Sequence, residues 1–356
     1  MRSGCSAPTT ASRGAASCRR GSHPRGQHDH EHEDANAALA PPPPRAEAPS
    51  RSATTTGRAH SADAAPSAPL IDLGPSGHPP PLTRVVGAAL EEDAPWATHQ
   101  HDAASRRGDA TADLVAREAG VFSGGEVFTA AFAHRPPLAV DLHVGDGDDF
   151  TAGDVLASVS GSARGILTAE RVALNFTQRM SGIATLTASY VAAVDGTRAR
   201  IADTRKTTPG LRAFERHAVE SGGGRNHRYS LSDAVMAKDN HLAVLTRSGL
   251  DLASALRDAL SRLPHTTHVV VEVDRLDQIP AVLDGGAHTV LLDNFSLDDL
   301  REGVALIGDR ATVEASGGVN LDTVGDIART GVDVISVGAL THSARALDLG
   351  LDLRID

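Results

Sequence analysis

Lysine is almost missing from this chain: 356 residues hold two, Lys206 and Lys238, against 32 arginines. Cysteine is as scarce, and both copies, Cys5 and Cys18, lie near the N-terminus. The remainder therefore has neither a disulfide framework nor a cysteine nucleophile. No apolar run reaches the roughly 20 residues of a membrane-spanning helix, and no signal-like apolar core is present. Secretion and membrane insertion are not indicated, and a cytoplasmic location is the expectation. The formal charge is −11, which argues against nucleic acid as partner. An anionic small molecule stays compatible, because a local cationic pocket fits within an acidic protein.

The first 81 residues differ from the rest. They hold the tetraproline Pro41 to Pro44, much Ala, Ser, Thr and Gly, and few large apolar residues before Leu70. Such a segment buries too little apolar surface to offset its ordering entropy, so residues 1–81 are expected to form a disordered tail. Within it, His28-Asp-His-Glu-His32 has metal-ligand side chains but no scaffold to fix their geometry. The tail carries eight Arg and seven acidic residues, a net +1, which leaves −12 for the other 275 residues. That length suits one large domain or two unequal ones.

From Leu82 to Ala169 the signals are mixed. A helix with Val85, Val86, Ala89 and Leu90 precedes strand-like runs at Asp113–Arg117, Glu126–Ala130, Ala139–His143 and Val155–Val159. Turn signals such as Ser123-Gly-Gly125 and Gly145-Asp-Gly147 separate them, which predicts a small α+β sandwich domain over 82–169. A long helical stretch opens at Thr168. After it, apolar runs alternate with amphipathic helices: Arg200–Ala202, Ala234–Met236, His268–Glu272, Thr289–Asp293, Thr312–Glu314 and Val334–Val337. The helices are expected to begin near Pro209, Arg247, Leu276, Leu297 and Leu321. Six or seven βα units predict an α/β fold, with a parallel sheet closed into a C-terminal α/β barrel over 170–345. The final alternation reads as a strand, 346–356, that returns to the small domain.

Position then points to chemistry. Asp203 to Lys206, Lys238, Glu272, Asp293, Ser316-Gly-Gly318 and Gly338 all stand at or just past the C-terminal end of a predicted strand, the catalytic face of such barrels. Each alone also reads as a helix cap or turn; their joint placement is the signal. Arg205, Lys206, His227, Arg228 and Lys238, reinforced by Arg171, form a cationic cluster suited to paired carboxylates, since Arg forks bind them bidentately and lysines supply point charges. Glu272 and Asp293 suit Mg²⁺ holding a diphosphate, and the glycine-rich loops at Ser316–Gly318 and Val337–Thr341 suit a phosphate monoester. A dianionic acid beside a magnesium-bound sugar diphosphate points to glycosyl transfer with pyrophosphate leaving. Glu215, Arg216 and His217 read as an exposed helix face, Asn175 as a satisfied helix polar group, and His342 as a local cap.

With these pieces assembled, the chain resembles the quinolinate phosphoribosyltransferase family from about Leu82 to about Leu353. The resemblance is carried by Leu167-Thr-Ala-Glu-Arg-Val-Ala-Leu-Asn175, Ser181-Gly-Ile-Ala-Thr185, Asp203-Thr-Arg-Lys-Thr-Thr-Pro-Gly-Leu211, Gly222-Gly-Gly-Arg-Asn-His-Arg228 and Lys238-Asp-Asn-His241. It continues through Val271-Glu-Val273, Leu291-Leu-Asp-Asn294, Ser316-Gly-Gly318 and Val337-Gly-Ala-Leu-Thr-His342. It implies quinolinate and phosphoribosyl diphosphate as substrates, Mg²⁺ as cofactor, and homodimers in which one small domain covers the neighbour's barrel mouth. By that resemblance Arg171 reaches quinolinate across the subunit boundary, and Arg205, His227, Arg228 and Lys238 hold its carboxylates. Lys206 stands between quinolinate and the sugar phosphate. Glu272 and Asp293 contact ribose hydroxyls and Mg²⁺, and Ser316, Gly317, Gly318 and Gly338 take the 5′-phosphate. The implied catalytic residues are Lys206, Glu272 and Asp293.

One departure is Pro95-Trp-Ala-Thr-His99, where the family usually has Gly-Asp followed by threonines. Rival readings are a related enzyme using nicotinate, a molybdenum-linked paralogue, a non-catalytic relic, or a phosphate-binding isomerase or aldolase. A monocarboxylate needs fewer cations than this cluster supplies, and no strand-end acid or lysine is lost.

Overall fold

The computed structural model describes residues 81–95, 108–133, 138–247 and 249–355. The expected tail up to residue 80, with Cys5, Cys18 and His28–His32, and the segment Trp96–His99 lie outside the described residues.

Helix α1 (Pro81–Asp93) leads into the smaller, N-terminal domain. Its antiparallel sheet runs β12-β1-β5-β3, with β1 at Asp109–Ala116, β3 at Ala139–Leu142, β5 at Val155–Ser162 and β12 at Leu349–Ile355. Ala110, Ala112, Leu114 and Ala116 alternate inward along β1, the two-residue period of a sheet with one covered face. The returning strand begins at Leu349, three residues later than the expected 346, and pairs Leu351 with Leu114. A short pair, β2 (Gly120–Val121) and β4 (Asp149–Phe150), stands beside this sheet in sequence.

One expected strand is a helix. Glu126–Ala130 falls inside α2 (Gly125–Ala133), whose buried residues Val127, Phe128, Ala131 and Phe132 form one helical stripe. Valine and phenylalanine raise strand propensity, but the spacing and the cap outweigh it. Asp146 Oδ1 accepts the amides of Gly124 and Gly125, both at 3.0 Å, where the helix begins.

Helix α3 (Ala163–Ala193) starts five residues before Thr168, because Ser162 caps it by accepting the Gly165 amide at 3.2 Å. Gly182 lies where α3 meets the Arg345 carbonyl so closely that any Cβ would collide with it.

Beyond α3, six parallel strands form the sheet of the α/β barrel, in the order β6-β11-β10-β9-β8-β7. They are β6 (Arg200–Ala202), β7 (Val235–Ala237), β8 (Val269–Val273), β9 (Thr289–Asp293), β10 (Thr312–Ser316) and β11 (Val334–Ser336). Their valine- and leucine-rich cores are buried, as in parallel sheets covered on both faces. Intervening helices are α4 (Arg212–Ser221), α5 (Asp239–Thr246), α6 (Leu252–Leu260), α7 (Ile279–Asp284), α8 (Leu297–Ile307), α9 (Val324–Arg329) and α10 (Ala339–His342). Where one helix was expected from Arg247, there are two. Asp251 caps the second by accepting the Ser254 amide at 2.9 Å.

Candidate active site

A cavity of about 520 Å³ opens at the C-terminal ends of the barrel strands. Strand geometry explains its lining. Met236 and Lys238, Leu291 and Asp293, and Glu314 and Ser316 are pairs two residues apart, so each pair shares one face of its strand. The later member of each pair stands at the strand's C-terminal end, and the earlier one lies one step deeper.

Asp203 organises one wall. It follows β6 and is fully buried; its Oδ1 accepts the His227 amide at 2.6 Å and lies 3.4 Å from Arg216 Nη1. Burial pushes its carboxyl up to about 6, against the opposing pull of Arg216 and the His227 amide. Its Oδ2 has no protein partner. Asp203 N donates to Arg225 O and Arg225 N to Ile201 O, at 3.0 and 2.8 Å, so the chain leaving Gly222–Gly224 runs beside β6. That path carries His227 and Arg228 into the cavity.

The Arg228 guanidinium donates to Ala234 O at 2.9 Å. Burial, then the neighbouring charge of Arg205, holds it below the ordinary arginine value. His227 Nδ1 accepts the Arg228 amide at 2.7 Å, which leaves the ring proton on Nε2, 3.4 Å from Glu314 Oε1. Ser336 Oγ donates to the same oxygen. Across the cavity, Lys238 Nζ forms an ion pair with Glu272, and Asn294 Nδ2 donates to Asp293 Oδ2 at 2.8 Å. Asn294 itself sits at φ 58°, and Gly317 at φ 94° packs so closely on its amide that a side chain there would clash.

Lys206 is held by its backbone. Its amide donates to Thr204 Oγ1 at 3.1 Å and its carbonyl accepts from Thr341 Oγ1 at 2.8 Å. Of the residues expected in the site, Arg205, Lys206, His227, Arg228, Lys238, Glu272, Asp293, Ser316, Gly317 and Gly318 line this one cavity. Gly338 stands just outside it, against the Lys206 side chain: a Cβ there would be 3.2 Å from Lys206 Cδ. Arg171 is exposed on α3 and does not line the cavity.

The expected exposed face of α4 is buried instead. Glu215, Arg216 and His217 are 1%, 9% and 7% exposed. Each meets a partner distant in sequence: Arg179, Asp203 and Asp146 respectively. Sequence reasoning also missed Glu314, 3% exposed in the cavity lining, with Asn294 and Ser336. The two-residue strand period counted back from Ser316 is the signal that finds Glu314.

No cluster of three or more His, Cys, Asp or Glu suited to a metal occurs among the described residues. Glu272 and Asp293 nevertheless bring two hard-oxygen donors to one cavity. That set fits Mg²⁺, which keeps several waters and shares its coordination with substrate phosphates. No helix among the described residues is long and apolar enough to cross a membrane.

Barrel, strand-end carboxylates, cationic wall and glycine loop together define an α/β-barrel enzyme that handles anions. Models of the quinolinate phosphoribosyl transferase N-terminal and C-terminal domains match residues 101–181 and 183–352. The nicotinate-nucleotide pyrophosphorylase [carboxylating] of Mycobacterium leprae is 45% identical over 251 residues, covering 68% of this chain and 86% of that protein. A quinolinate phosphoribosyltransferase [decarboxylating] of Nicotiana tabacum is 39% identical over 312 residues, covering 80% and 85%. The crystal structure of NadC from Streptococcus pyogenes superposes with a TM-score of 0.73 at 38% identity, covering 77% of this chain and 97% of that one. The chain belongs to the quinolinate phosphoribosyltransferase family.

Proposed function

We propose that this enzyme transfers the phosphoribosyl group of phosphoribosyl diphosphate to the ring nitrogen of quinolinate and releases CO₂, giving nicotinate mononucleotide and diphosphate for NAD biosynthesis. The observation that carries the reading is the meeting of Arg205, Lys206, His227, Arg228 and Lys238 with Glu272, Asp293 and Ser316–Gly318 around one cavity. Arg205, Arg228, Lys238 and the His227 Nε2–H bind the two carboxylates and orient the ring. Glu272 and Asp293 hold the ribose hydroxyls, and Ser316, Gly317, Gly318 and Gly338 take the 5′-phosphate. Glu272 and Asp293 would hold Mg²⁺, whose chemistry there would be positive charge set against the diphosphate leaving group.

The ring nitrogen forms a bond to C1′ as the C1′–oxygen bond breaks, and its electron pair leaves with diphosphate. Lys206 stabilises the charge that develops there, and the fixed wall holds nitrogen and C1′ in line. The quaternised ring then accepts the electron pair of the C–CO₂ bond, CO₂ departs, and a solvent proton takes its place. No general base is assigned.

The same reading places the small domain at 82–169, joined by strand 346–356, and the barrel at 170–345; the pairing of β12 with β1 supports that division. It also includes a homodimer, since Arg171 is exposed, does not line its own cavity and fits a role in a neighbour's. A cytoplasmic location completes it. The test incubates purified protein with quinolinate, phosphoribosyl diphosphate and Mg²⁺, and separately with nicotinate. Nicotinate mononucleotide and CO₂ from quinolinate alone, abolished by EDTA and restored by Mg²⁺, are expected. Product from nicotinate without CO₂ overturns the substrate assignment.

A further inference from the structure

The buried charges of α4 take no part in the chemistry above, yet they hold the loops that do. Glu215 accepts the Thr208 amide at 3.0 Å and the Thr208 hydroxyl at 2.7 Å, and pairs with Arg179 Nη2 at 2.8 Å. Arg179 also donates to Ala344 O at 2.7 Å and to Thr341 O, while Thr341 Oγ1 donates to Lys206 O at 2.8 Å. Glu215 and Arg179 thus bracket the backbone that presents Lys206. Arg216 does something different. Its Nη1 donates to His227 O at 2.6 Å and lies 3.4 Å from Asp203 Oδ1, and its guanidinium lies 5.3 Å from the Tyr229 ring centroid. Consecutive residues of a helix project about 100° apart, so these neighbours reach separate loops.

We propose that α4 is a positioning helix that divides the site by substrate. Glu215, through Thr208 and Arg179, sets Lys206 for phosphoribosyl diphosphate; Arg216, through Asp203 and the His227–Arg228 backbone, sets the wall that receives quinolinate. Neither residue lines the cavity, so both act through others. Three donors converge on the Glu215 carboxylate, and glutamine offers one acceptor oxygen in place of two. At position 216 lysine keeps the charge and loses the guanidinium fork. The inference rests on the substrate reading given above.

The test is steady-state kinetics on Glu215→Gln and Arg216→Lys with each substrate varied in turn, paired with amide hydrogen exchange on the substrate-free enzyme. Glu215→Gln is expected to raise KM for phosphoribosyl diphosphate about tenfold and leave KM for quinolinate within about twofold; Arg216→Lys is expected to do the reverse. Exchange should quicken at the Thr208 amide in the first variant and at the His227 amide in the second. A purely structural role moves both KM values together and quickens exchange at both amides in each variant, which overturns the proposal. If either variant fails to fold, Thr208→Val and Tyr229→Leu perturb the same two arms more gently. Absence of turnover in the unaltered enzyme refutes the substrate reading instead, and the exchange pattern alone then decides whether α4 partitions the loops.

Discussion

Asp203→Asn isolates one buried charge. The Asp203 carboxyl is fully buried and pushed from 3.8 up to about 6, with burial the main cause and Arg216 and the His227 amide opposing it. A carboxyl whose folded-state value is raised contributes stability that is fully present below 3.8 and is lost as pH rises through about 6, because the unfolded chain gives up the proton first. The shift amounts to about 3 kcal/mol in all, and about 2 kcal/mol falls between roughly pH 4.5 and 7.5. Asparagine keeps an oxygen for the His227 amide and cannot titrate. Urea unfolding of both proteins across that window gives two stability curves, and other titrating groups largely cancel in their difference. The original protein should lose about 2 kcal/mol relative to the variant as pH rises. A flat difference, or one that grows in favour of the original protein, refutes the account of Asp203.

Lys206→Ala should lower turnover by about two orders of magnitude or more while the urea midpoint stays put; undiminished turnover removes Lys206 from the chemistry. Gly338 has an ordinary helical φ of −67°, so Ala costs no backbone strain there. Its methyl would stand 3.1 Å from His342 Nε2 and 3.2 Å from Lys206 Cδ, and Gly338→Ala should slow turnover about tenfold without loss of stability, read by parallel assays of rate and melting. Gly182→Ala has the opposite signature. With its Cβ driven into the Arg345 carbonyl, it should cost about 1–3 kcal/mol of unfolding free energy, and an unchanged denaturation midpoint would contradict the close approach.

Much of this was legible because strands write their direction into sequence. Thr289–Asp293 is a strand over the residues expected, and the rule that barrel function gathers at strand C-termini picked out Lys238, Glu272, Asp293 and Ser316 without any contact known. What stayed hidden was set by tertiary partners. Glu215, Arg216 and His217 have the composition of a solvated face, and nothing local reveals that Arg179, Asp203 and Asp146 would bury them. Glu126–Ala130 failed for a related reason: the carboxylate that caps α2 comes from Asp146, some twenty residues on. Glu314 stayed hidden because the expected strand ended on it, whereas β10 runs on to Ser316 and brings both residues, two apart on one face, to the cavity.

The placement of β12 has a consequence for biosynthesis. Residues 349–355 pair with 110–116, all of β1 but its first residue, yet nearly all of the barrel is translated between them. A nascent chain that has finished β1 and β5 still presents β1 with one unpaired edge, the kind of surface that recruits stray strands. Only β12 covers it. Ribosomes that stop before β12 would release a protein with its chemistry encoded and its small sheet open to aggregation.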